Sequence, residues 1–124
     1  MLLHIHKDTA IKDIQHLFAE LYPFLKIEFY KIDGPPGKTL EKKEEINERL
    51  FKDDFNNTQV ETIINIQPKR TVLQVEKDFR QQCNISIKVF RKCRNLWIQT
   101  SLTDDWSLER QNNEAALISM AMNG

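Results

Sequence analysis

Apolar and polar positions alternate at the start of this chain, then switch to a spacing of three and four. Leu3 and Ile5 point one way and His4 and His6 the other, the period-two signature of a strand over residues 2–6. Ile11, Ile14, Phe18 and Leu21 then recur at helical spacing, with Asp8 or Thr9 placed to cap the helix and Pro23 to end it. Residues 24–31 return to alternation, with Leu25, Ile27 and Phe29 on one face and Lys26, Glu28 and Tyr30 on the other.

The same punctuation returns about sixty residues later. Leu3 and Ile5 lie over Ile64 and Ile66; Ile11, Ile14 and Phe18 lie over Val72, Val75 and Phe79. After a one-residue slip, Leu25, Ile27 and Phe29 lie over Ile85, Ile87 and Val89. In the second helix Thr71 and Gln74 have the spacing of a capping box, Cys83 continues the apolar face, and Asn84 suits the left-handed position after the helix end. Two further strands, 85–91 and 96–101, are read as a hairpin around Cys93-Arg94. Thr103, Asp104 and Asp105 offer capping oxygens for a last helix starting near Trp106.

Between the halves, 33–37 is a Gly/Pro loop, 39–51 has the charge-rich look of an exposed helix, and 52–59 is a polar connector. The expected architecture is α+β in a single domain over 1–124. Two β-α-β-type repeats, about 2–51 and 60–120, share one mixed sheet with helices mainly on one face, followed by the C-terminal hairpin and helix. The right-handed crossover rule would set the outer strands of each unit parallel.

Composition narrows the function classes. Eighteen basic and eighteen acidic side chains give no net charge, but residues 1–67 carry −3, 68–100 carry +6 and 101–124 carry −3. The neutral total argues against strong non-specific polyanion binding and leaves a local basic patch. Two cysteines are too few for a disulfide scaffold or a zinc ligand set, so reduced thiols and a cytoplasmic setting are expected. No apolar run reaches the length of a membrane span, and the N-terminus has no signal-peptide pattern.

Candidate chemistry is thin. His4 and His6 share a strand face as metal ligands can, but the corresponding second-half residues are the amides Asn65 and Gln67, so the face reads as merely wet. Asp104 and Asp105 are adjacent, and neighbouring carboxylates at a helix start serve the free N–H groups better than they converge on a reacting atom. Cys93 lies among Arg91, Lys92 and Arg94, which favours a thiolate, but no histidine is near in sequence. The reading is therefore no enzyme, no metal and no cofactor.

The hairpin is the remaining signal. With a turn at Cys93-Arg94, Phe90 faces Trp97, Lys88 faces Gln99 and Lys92 faces Asn95, while Val89, Ile98 and Ile87 turn to the core. An aromatic pair ringed by Lys88 and Lys92 suits either a protein partner or stacked, unpaired bases of single-stranded RNA. The alternative is that the last helix, through Trp106 and Leu108, covers the pair. The binding residues read from the sequence are Lys88, Phe90, Arg91, Lys92, Arg94, Trp97, Asp104, Asp105 and Trp106. A non-enzymatic module for a protein partner is the first reading, and an RNA-binding protein the second.

The run Val89-Phe90-Arg91-Lys92, then Asn95-Leu96-Trp97, then Thr103-Asp104-Asp105-Trp106-Ser107-Leu108-Glu109 with Gln111-Asn112, resembles a family of small uncharacterised bacterial proteins. The openings Leu3-His4-Ile5-His6-Lys7-Asp8 and Leu25-Lys26-Ile27-Glu28-Phe29 share that resemblance. It implies a common fold and a bacterial, cytoplasmic origin, and it carries no activity.

Overall fold

In the computed structural model, residues 1–32, 43–45, 51 and 61–123 are described. The chain runs β1 (Leu2–His6), α1 (Ile11–Leu21), β2 (Leu25–Ile32), β3 (Lys43–Glu45), β4 (Glu61–Asn65), α2 (Val72–Cys83), β5 (Ile85–Cys93), β6 (Leu96–Gln99), a 3-10 turn (Ser101–Thr103) and α3 (Leu108–Asn123). This is an α+β protein. Its strands fall into two antiparallel sheets, β1-β4 and β3-β2-β5-β6, rather than one mixed sheet. The crossover rule constrains parallel strands of one sheet. Here β1 and β2 belong to different sheets, so the rule does not apply.

Two strands of the first half pair with strands of the second, while β3 pairs with β2. β1 meets β4 with Leu3 opposite Ile64, and β2 meets β5 with Glu28 opposite Lys88. Each of these pairs also joins residues that overlie one another when the two halves of the sequence are compared. β3 at Lys43–Glu45 replaces part of the helix expected over 39–51; apart from Phe51 the rest of that helix, the 33–37 loop and the 52–59 connector lie outside the described residues.

Alternation places the core. Leu3 and Ile5 from β1, Ile64 from β4, Leu25, Ile27 and Phe29 from β2, and Ile85, Ile87 and Val89 from β5 are all buried. Ile11, Ile14 and Phe18 of α1 and Val72, Val75, Phe79 and Cys83 of α2 meet them in one cluster. Phe29 stands edge-on to both Phe51 and Phe79, at ring distances of 5.5 and 5.3 Å. Burying a phenylalanine of this kind contributes about 2–3 kcal/mol.

The helix ends follow local chemistry, with two departures. Thr71 and Gln74 form the capping box, and Asn84 takes the left-handed conformation at φ 51°. No side chain caps α1: Thr9 instead accepts the His6 N–H. α3 begins at Leu108, two residues later than expected, and Ser107 rather than either aspartate accepts the Arg110 N–H. Leu21 is exposed, and Tyr22 turns inward in its place. The Tyr22 hydroxyl donates to the Ile66 carbonyl at 2.6 Å; burial, and then the Glu109 carboxylate, push its phenol up to about 12. Among the described residues no helix is long and apolar enough to cross a membrane.

Candidate interaction surface

β5 is held on one side by β2 and on the other by β6, so its side chains alternate between the helix-covered face and an outer face. The hairpin turn is Arg94-Asn95, one residue later than expected, with Cys93 opposite Leu96 and Lys92 opposite Trp97. Arg94 carries the positive φ, 59°, that a tight hairpin turn demands of its first central residue. Asn95 fills the second central position, where asparagine is a favoured turn residue. Phe90 therefore faces Gln99 rather than Trp97, and Lys88 lies beyond the last β6 partner. Parity survives the shift: Phe90 and Trp97 still share the outer face, as diagonal neighbours.

A residue from a third strand joins them. Lys26 on β2 lies opposite Phe90, and its ammonium sits 5.2 Å from the Phe90 ring centre and 5.1 Å from that of Trp97. The same ammonium pairs with Glu28 at 3.2 Å, Glu28 accepts the Tyr30 hydroxyl at 2.8 Å, and Lys88 lies 4.9 Å over the Tyr30 ring. Cation and aromatic thus alternate across the outer face, with one carboxylate at the centre. Lys92 lies opposite Trp97 on this face and is exposed near the turn.

The remaining binding residues divide between two other places. Arg91 has the opposite parity and stacks on Trp106 at 5.5 Å, while Arg110 stacks on the same ring at 3.8 Å. Asp104 and Asp105 follow the 3-10 turn, and the Asp104 carbonyl accepts the Leu73 N–H at the start of α2. Trp106 and Leu108 stay on the helix side, where Leu108 joins the core. α3 consequently leaves the aromatic pair uncovered: Phe90 is half-buried and Trp97 is 38% exposed.

β6 is the edge of its sheet, and all four of its residues are exposed. Leu96 is 68% and Ile98 41% exposed, and Leu102 just beyond is 97% exposed. Ile98 was expected in the core; the shifted register sets it opposite Arg91, past the covering helices. The Thr100 N–H donates to the Val89 carbonyl. Alternation along the ladder then directs the backbone groups of Leu96 and Ile98 toward β5 and those of Trp97 and Gln99 outward. Where β6 ends, a cleft of about 310 Å³ opens between β5 and α2, lined by Leu73, Lys77, Arg80, Ile87 and Asp104 among others.

On the other sheet the paired histidines are partnered. His4 and His6 both reach Glu61 on β4, at 3.0 and 3.7 Å. Among the described residues no group of three histidine, cysteine or acidic side chains could hold a metal ion. Cys83 is buried, and Cys93 ends β5 rather than occupying the turn. No protein family, curated protein or solved structure matches the chain.

Proposed function

We propose that this protein is a non-enzymatic interaction module whose docking element is the β5–β6 hairpin, with edge strand β6 receiving an extended segment of a protein partner. One observation carries the reading: among the described residues β6 is an unpaired edge, Leu-Trp-Ile-Gln, exposed throughout and without a charge. Soluble proteins ordinarily blunt such edges with lysine, proline, a bulge or a covering element. Strand addition would satisfy the outward backbone groups of Trp97 and Gln99, and Trp97 would supply an aromatic anchor. Single-stranded RNA is the weaker occupant, because Lys26 already lies against both rings that bases would stack on and Glu28 sits beside it.

A photo-crosslinking residue placed at Leu96 in living cells tests this, with Leu17, also exposed but on α1, as control. Protein adducts at position 96, absent at position 17 and lost on Trp97→Ala, are the expected result. Equal protein adducts at both positions would overturn it. Adducts removed by ribonuclease, together with oligouridylate binding that falls steeply with salt, would replace it by the RNA reading.

A further inference from the structure

From the charges flanking β6 we infer that a second copy of this chain docks on that edge, forming a two-fold dimer with one sheet continuous across both copies. The inference rests on β6 being the docking element and adds the identity of the partner.

Charge placement selects the second copy. The turn end of the hairpin carries Lys92, on β5 opposite Trp97, and exposed Arg94, and the far end of β6 leads through Ser101–Thr103 to Asp104 and Asp105. Among the described residues none of these four side chains has an ion-pair partner within the chain. An antiparallel two-fold pairing of β6 with itself lays the basic turn of each copy beside the acidic turn of the other. The complementarity is therefore satisfied twice, as an isologous interface requires. A net charge of zero adds no repulsion between copies.

The register follows from the apolar positions. Only Trp97 and Gln99 present outward backbone groups, so a hydrogen-bonded pair across the axis must use them. With Trp97 opposite Trp97 of the second copy, Leu96 of each copy meets Ile98 of the other. Every apolar residue of β6 then gains an apolar cross-strand neighbour. Centring the axis on Ile98 would instead set Leu96 against Thr100.

A charge-swap experiment on the full chain tests the inference by sedimentation velocity. Wild type is expected to pass from monomer to dimer with rising concentration. Lys92→Glu/Arg94→Glu makes both ends of β6 acidic, and Asp104→Lys/Asp105→Lys makes both basic. Each should weaken self-association at least about tenfold, and an equimolar mixture should restore it as a heterodimer. Ile98→Lys, at an exposed position, should give a monomer with an unchanged melting temperature. Wild type that stays monomeric at every concentration overturns the inference; protein adducts at Leu96 would still leave the wider docking proposal standing. A dimer indifferent to the swaps and to Ile98→Lys overturns it too, since its interface would lie elsewhere.

Discussion

The β1–β4 pair is a sheet of its own and the β5–β6 hairpin is the edge of a four-stranded one; each has a wet side, and they treat that side in opposite ways. On β1–β4 the titratable groups answer one another, His4 and His6 converging on Glu61. On β6 the exposed groups are apolar side chains and backbone, and no strand among the described residues pairs with its outer edge. The contrast separates a surface completed by folding from one that folding leaves open. It also explains why paired histidines, the more conspicuous sequence signal, are the less informative surface.

Substitutions can break this contrast, the heaviest effect falling where the two regions are alike. Beneath β4, Ile64→Ala should cost about 2–5 kcal/mol in urea denaturation, because the buried site cannot refill. Tyr22→Phe should cost about 1–3 kcal/mol by leaving the Ile66 carbonyl unpaired. The same variant should flatten the alkaline limb of stability. With the phenol at about 12 when folded and near 10 unfolded, stability is full below pH 10 and falls as the pH rises toward 12. A wild-type curve that is flat over that range would show the hydroxyl to be no more shielded in the fold than out of it.

The smaller effects tell the two wet sides apart. Ile98→Lys should change monomer stability by less than about 0.5 kcal/mol, as surface substitutions do, yet abolish docking. Glu61→Gln should likewise change stability by less than about 0.5 kcal/mol, as exposed pairs do, but leave docking untouched. If Glu61→Gln impaired docking as Ile98→Lys does, the two surfaces would not be separable.

Periodicity made much of the fold legible. The helix faces of Ile11–Phe18 and Val72–Cys83, the capping box at Thr71 and the left-handed Asn84 all depend on neighbours a few residues away. Strand partnership does not. Nothing local says that β1 pairs with β4 in a sheet of its own, nor that Lys26, from a strand sixty residues before the hairpin, comes to rest between Phe90 and Trp97. The hairpin shows the same boundary at small scale. Parity identified the shared face of the aromatics, whereas a turn displaced by one residue moved Ile98 from the expected core to the open edge. The Asn95 side of that turn was the readable clue.

Lys26 and the Arg91–Trp106–Arg110 stack have a practical corollary. The chain has two tryptophans, and each lies against cations in a different setting, Trp97 at the open edge and Trp106 between two guanidinium groups on the helix side. The molecule therefore carries its own pair of optical gauges. Covering the edge should blue-shift the emission of Trp97 and shield it from acrylamide while Trp106 holds steady, so that one spectrum distinguishes occupancy of the hairpin from loosening of its base.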